Sequence, residues 1–126
     1  MRYLSIDFGL KRLGLATSEG ILAAPLKTIE VEGFRDAVKK VAGLIEVEDF
    51  TRIVVGLPEG KMGKTVLGFV KTLKKTGLDV VCTDETLSSK KAIAQMIELN
   101  IPKNKRQTND AYSAAIILQN YLDSSR

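Results

Sequence analysis

Three acidic positions in this chain of 126 residues could do chemistry: Asp7, the pair Asp84-Glu85, and Asp110. Each stands where a patterned segment ends or begins. Asp7 closes Tyr3-Leu4-Ser5-Ile6, a stretch in which Leu4, Ile6 and Phe8 alternate with Tyr3, Ser5 and Asp7, the period of a strand. A carboxylate at the end of so apolar a strand needs a reason, because burying an unpaired charge is costly. Asp84 and Glu85 close the apolar run from Val80 to Thr83, and Asp110 opens the last helical pattern. Carboxylates gathered in one cleft raise one another's pKa unless a cation compensates. Oxygen-only ligands suit a hard ion such as magnesium or manganese. Such an ion supports phosphodiester hydrolysis without histidine, and this chain contains no histidine.

Each acid also has an ordinary structural role open to it. Asp110 would interact favourably with the dipole of the helix it begins. Asp84 and Glu85 could be solvated acids ahead of a helix capped by Ser88. Asp7 is harder to assign to structure alone, because it follows an apolar strand and precedes Gly9. Asp7 is therefore read as the first ligand of a metal site that cuts or handles nucleic acid, with the other acids converging on it.

The composition narrows the alternatives. The absence of histidine excludes serine–histidine triads, paired-histidine acid–base cleavage and most zinc sites. Cys82 is the single cysteine, so no internal disulfide is available, and its Val80-Val81-Cys82 setting predicts a small buried core residue. Net charge is +4, unevenly spread: Gly60 to Arg106 holds ten Lys/Arg against four Asp/Glu, a local balance of +6. This excess permits an anionic partner, although a solvated basic face would read the same way. Gly60-Lys61-Met62-Gly63-Lys64-Thr65 superficially resembles a phosphate loop but has the wrong spacing to its first glycine. No apolar run approaches the roughly 20 residues that span a bilayer, and no signal-peptide pattern is present, so the expected location is the cytoplasm, away from membranes.

The elements that must position the acids follow from periodicity. The opening strand and Leu13 to Ser18 form a hairpin. Leu22 to Ile29 is a third extended segment, and Pro25 marks it as an edge or bulged strand. After Gly33 comes a helix with Phe34, Ala37, Val38, Val41, Ala42 and Ile45 in its apolar stripe. Ile53 to Leu57 reads as a central strand buried on both faces. A helix from about Gly63 to Lys75 ends at Gly77, and Val80 to Thr83 is read as another buried strand. Ser88 caps a helix that Asn100 terminates, and Ile101 to Asn109 is a polar, basic loop. The last helix runs from about Asp110 to Leu122, packing through Ala111, Ala114, Ala115, Leu118 and Leu122. Three successive strands make an antiparallel meander, whereas helix-linked strands favour parallel neighbours. The predicted architecture is an α/β single domain over residues 1–126. Its mixed five-stranded sheet has order 3-2-1-4-5, strand 2 antiparallel, with helices on both faces. In that order the Asp7 strand is central, and carboxyl ends of parallel strands share one edge, where α/β sites commonly lie.

With these residues in place, the chain resembles a known family. Asp7-Phe8-Gly9-Leu10-Lys11-Arg12-Leu13-Gly14-Leu15-Ala16 is similar to the opening signature of the YqgF/RuvX family, the RNase H-like pre-ribosomal-RNA nucleases and Holliday-junction-resolvase-like proteins. Gly56-Leu57-Pro58, Asp84-Glu85-Thr86-Leu87-Ser88 and Asp110-Ala111-Tyr112-Ser113-Ala114-Ala115-Ile116-Ile117-Leu118 resemble its later motifs, in order. The resemblance covers essentially the whole chain. It implies an RNase H-like three-layer fold and a magnesium- or manganese-dependent endonuclease. Asp7, Glu85 and Asp110 would be its catalytic and metal-binding acids, with Asp84 beside them. The implied substrate is structured nucleic acid: first the 5′ end of the pre-16S ribosomal RNA precursor, in ribosome biogenesis, and second branched DNA.

Two departures from the family pattern bear on substrate positioning. Thr86 stands where an arginine is usual. The loop after Pro58 reads Glu59-Gly60-Lys61-Met62-Gly63, shorter than usual and without an aspartate. A nucleic-acid-binding module with little catalysis is the alternative these departures suggest. A phosphotransferase of the actin and sugar-kinase type, which also begins on an Asp-x-Gly turn, would need two lobes and has room here for one. Lys11 and Arg12 in the turn after Asp7, and Lys103, Lys105 and Arg106 before Asp110, are the candidate nucleic-acid-binding cations. Gly9 and Gly14 are read as backbone enablers, by positive φ or close approach. The expected assembly is a monomer or a weak homodimer.

Overall fold

The computed structural model describes residues 1–58, 60–84 and 110–124. Its elements, in chain order, are β1 (Tyr3–Asp7), β2 (Arg12–Ser18), β3 (Ala23–Glu30), α1 (Phe34–Val47), β4 (Arg52–Leu57), α2 (Lys61–Lys75), β5 (Val80–Asp84) and α3 (Asp110–Ser124). The five strands form one sheet of order β3-β2-β1-β4-β5. β1 pairs antiparallel with β2 and parallel with β4, which pairs parallel with β5. The predicted sheet order and strand directions are those observed. The Ser88 helix, the loop from Ile101 to Asn109, and Glu85, Thr86, Lys103, Lys105 and Arg106 lie outside the described residues.

Alternation along the strands builds two cores. Leu4, Ile6, Phe8, Leu13, Leu15, Ile53 and Val55 face α1 and α2 and pack with Ala37, Val41, Val66, Phe69 and Leu73. Phe8, Phe34 and Phe69 form an aromatic knot there, with the Phe8 and Phe69 ring centroids 4.7 Å apart. The opposite face is built from smaller groups, with Ala16 and Val54 packing on Ala114, Ala115, Ile117, Leu118 and Leu122 of α3. The sheet is thus covered on both sides, three layers in all.

Local chemistry sets the element ends. Pro25 lies on the outer strand β3, at a register irregularity, the kind of strand position where a residue without an N–H is tolerated. The β2–β3 register slips there: Leu15 pairs with Lys27 but Ala16 with Pro25, leaving Leu26 as the extra residue of a bulge. α2 begins at Lys61, two residues before the predicted start, because Gly60 turns the chain with φ 80° and its carbonyl accepts the Gly63 N–H at 3.1 Å. Gly77, at φ 90°, ends that helix as predicted.

Two burial expectations are corrected. Cys82 is exposed, not a core residue. β5 is the outer strand beyond β4, and of its first four residues only Val80 is buried. A Val-Val-Cys run reads the same in a central and an edge strand, and periodicity carries no information about the missing neighbour. α3 differs in the other direction. All five predicted packing residues are buried, but so are Ser113, Ile116 and Ile117.

Candidate metal centre and nucleic-acid surface

Strand alternation that sends Leu4, Ile6 and Phe8 into one core sends Tyr3, Ser5 and Asp7 to the face under α3. Contacts along this stripe fix how the helix lies. The Tyr3 and Tyr121 rings meet with centroids 6.3 Å apart. The buried Ser5 hydroxyl donates to the Ala114 carbonyl at 2.6 Å. α3 therefore runs antiparallel to β1. From Ser5, two strand residues advance about 6.6 Å to Asp7, and from Ala114 four helical residues advance about 6 Å to Asp110. The two carboxylate residues arrive level with each other at one edge of the sheet.

Gly14 permits this approach. It is the cross-strand partner of Asp7. A Cβ built on it would overlap the Asp110 backbone carbonyl and come within 2.7 Å of the Asp110 Cβ. Of the two mechanisms read for Gly14, close approach is the one found; neither Gly14 nor Gly9 has a positive φ. Gly9 is similar, since a Cβ there would meet the Arg12 carbonyl at 2.7 Å. The turn between Asp7 and Arg12 is thereby held tight, and β2 brings Arg12 onto the side of the sheet that α3 covers.

Electrostatics at this edge are uneven. Burial pushes the Asp110 carboxyl above its ordinary pKa, and the Arg12 charge pulls it part of the way back. Among the described residues, Arg12 offsets the burial of an ionised Asp110 only in part, which is a setting a bound cation would relieve. Lys11 and Arg12 are both exposed. They line a polar cleft of about 330 Å³ with Glu30, Glu32 and Lys40 on the far side of the turn. Asp7 is half-buried.

The register also sets where β5 ends. Val55 lies beside both Ile6 and Cys82, and Leu57 pairs with Asp84. β5 thus finishes at the same sheet edge as β1, at the residue before Glu85. Asp7, Lys11, Arg12 and Asp110 are brought to this edge. Glu85, Lys103, Lys105 and Arg106 lie outside the described residues. Among the described residues no group of three or more His, Cys, Asp or Glu side chains is assembled to hold a metal. Asp7 and Asp110 supply two hard oxygen donors, a set that suits magnesium or manganese and not a soft ion.

One feature of the site escaped the sequence reading. Tyr112, two residues from Asp110, is 38% exposed. With Ala111 it borders a groove of about 450 Å³ whose other wall is Pro25, Leu26, Lys27 and Thr28 of β3. An aromatic within a run of buried residues was the available signal. A larger cavity, about 690 Å³, lies at the opposite end of the sheet against Arg2, Thr17, Ser18 and Ile21. Its one lining carboxylate is the exposed Glu19, with no second acid among the described residues that line it, so volume alone does not mark the site.

Solved structures share this architecture. Thermus thermophilus RuvC, determined in complex with a Holliday junction substrate, superposes with a TM-score of 0.64 at 17% identity, covering 99% of this chain and 96% of that one. The fowlpox virus Holliday junction resolvase gives 0.65 at 14% identity, with both chains covered completely. The fold is thus the RNase H-like fold of the RuvC-type resolvases. A sequence model of RuvX, described as Holliday junction resolvase, matches residues 1–124, and the chain belongs to this family. Relatives named "Putative pre-16S rRNA nuclease" cover nearly its whole length. That of Syntrophus aciditrophicus is 34% identical over 134 residues, 98% of this chain and 89% of the relative. That of a Roseiflexus species is 36% identical over 135 residues, 99% and 96%.

Proposed function

We propose that residues 1–126 form one metal-dependent endonuclease domain that hydrolyses phosphodiester bonds in structured nucleic acid, its first substrate being the 5′ end of the 16S ribosomal RNA precursor. The observation that carries this reading is the levelling of Asp7 and Asp110 across Gly14 at the sheet edge. The names of the relatives and the RuvX match support it. Asp7 and Asp110 would hold a magnesium or manganese ion, and Glu85, following the last residue of β5, would complete the set. A bound divalent ion supplies the charge that activates water and stabilises the leaving oxygen at neutral pH.

The rest of the work falls to this chain's own groups. Burial of Asp110 keeps its carboxyl responsive to a cation, and the Ser5 hydrogen bond holds the helix that carries it. Arg12 places a fixed charge where a phosphate beside the acids would meet it, with Lys11 next to it; Lys103, Lys105 and Arg106, which precede Asp110 in the sequence, are proposed as further backbone contacts. The groove beside Tyr112 leaves room for a flanking nucleotide.

Incubation with magnesium or manganese of ribosomal RNA precursors, four-way DNA junctions and unstructured strands tests the proposal. Wild-type protein is expected to cut the RNA precursor and Asp7→Asn to lose that cutting. Undiminished cleavage by Asp7→Asn removes the acid from the mechanism. Preference for the four-way junction, the substrate in the Thermus thermophilus complex, would replace RNA by branched DNA. Salt-sensitive binding indifferent to chelator, with nothing cut, would leave a binding module and no enzyme.

A further inference from the structure

α2 carries a charge distribution that neither the fold nor the metal centre uses. Its fifteen residues include Lys61, Lys64, Lys71, Lys74 and Lys75 and no Asp or Glu. At 3.6 residues per turn all five lysines fall within about 140° of the helix circumference. That sector lies opposite Val66, Phe69, Val70 and Leu73, which are buried against the sheet. All five lysines are exposed, and none enters an ion pair among the described residues, whose three pairs are Arg2–Glu48, Lys40–Asp36 and Arg52–Asp79.

Stability does not account for this stripe. Lys61–Lys64, Lys71–Lys74 and Lys71–Lys75 are like-charge pairs at helical spacing, which destabilise a helix. Lys61 and Lys64 also sit toward the end of the helix that disfavours cations. The neighbouring helix shows the ordinary solution, with Asp36 of α1 paired to Lys40 at 3.2 Å and Glu46 among its exposed residues. A lipid surface is a poor match, since Leu67 is the one large apolar residue within the lysine sector.

We infer that the lysine face of α2 is a phosphate-backbone track for a duplex arm of the nucleic acid cut at the Asp7–Asp110 edge. The inference rests on the nuclease reading and extends its binding surface to a helix the motifs did not mark. Three residues separate the end of β4 from the start of α2, which begins at the site edge and leads back toward the start of β5, so a strand leaving the acids would meet Lys61 first. Fifteen helical residues span about 22 Å, and along that length one strand of a duplex presents on the order of six phosphates.

The test replaces the three lysines farthest from the site, Lys71→Gln, Lys74→Gln and Lys75→Gln together. Binding of an RNA hairpin is titrated over a range of salt concentrations in the presence of chelator, and cleavage is measured separately with metal. The logarithm of the binding constant is expected to fall less steeply with salt, by about 2 to 3 in slope for three lost contacts. The cleavage defect should lie in KM and not in kcat. Thermal unfolding should be unchanged or occur at higher temperature, because repulsion is relieved. An unaltered slope and KM in a wild type that binds and cuts would overturn the track and leave the nuclease reading standing. Weakened hairpin binding by the variant, in a protein that cuts nothing, would support the track and overturn the nuclease. Binding of an acidic polypeptide but no nucleic acid would overturn both.

Discussion

Gly14→Ala is the sharpest test of how this fold builds its site. The added methyl would collide with the Asp110 carbonyl and lie 2.7 Å from the Asp110 Cβ, where ordinary contact begins near 3.4 Å. The obstructing atoms are mainly backbone and cannot escape by changing rotamer. Either β2 or the first turn of α3 must retreat by about 1 Å. Overpacking of this kind costs about 1–3 kcal/mol, and the upper end applies where backbone must move. At about 4 °C per kcal/mol for a chain of this size, the melting temperature should fall by roughly 10 °C. The same retreat separates Asp110 from Asp7, and a misplacement of about 1 Å can cost on the order of 100-fold in rate. Denaturant unfolding gives the first quantity and metal-dependent cleavage well below the new melting temperature the second. Gly43→Ala is the internal control: it lies in α1 with open space around its Cβ position, so it should gain about 1 kcal/mol and leave cleavage untouched. Wild-type stability and activity in Gly14→Ala would refute the claim that this glycine sets the spacing of the two acids.

Two further outcomes follow from the same geometry. Burial raises the Asp110 pKa above the ordinary 3.8. The metal-free protein therefore has the stability linked to Asp110 in full below that pH and loses it as pH rises through the folded-state pKa. Asp110→Asn should flatten this window, and metal titrations should show affinity failing at a higher pH than for an exposed carboxylate pair. Ser5→Ala removes the buried donor to the Ala114 carbonyl, and should cost about 1 kcal/mol in denaturant unfolding. Metal affinity should fall with it if that bond helps to hold Asp110 level with Asp7.

Strand order was legible because it follows from short-range rules: a meander of three strands, then helices that force parallel neighbours. Gly33 and Gly77 marked element ends legibly and adopt positive φ where the chain turns, whereas the turn at Gly60 starts α2 two residues before its predicted beginning. Burial was less so. Val80-Val81-Cys82 carried a core signature, yet β5 has a neighbour on one side only. In α3 a period of 3.6 selected one face of a helix that is buried around most of its circumference, because Ile116 and Ile117 fall between the stripes. Asp7 and Asp110 could be recognised as residues at element ends, but their meeting depends on the Gly14 approach and on the bond from Ser5 to Ala114, 109 residues away.

A sequence signal for that meeting did exist, in side-chain size and not in charge. Along β2, Gly14, Ala16 and Ser18 alternate with Leu13 and Leu15, and on β1 Ser5 takes the place facing α3. The helix answers with Ala111, Ala114 and Ala115, all buried. A helix normally stands about 10 Å from what it packs against because side chains fill the gap. Where both surfaces carry only small groups, the backbones draw together, and a first-turn carboxylate can descend to the level of a strand end. On the other face Leu4, Ile6, Leu13 and Leu15 meet Phe69 and Leu73, and bulky residues keep the helices out. The asymmetry in residue size across the sheet therefore selects which helix can deliver an acid to Asp7.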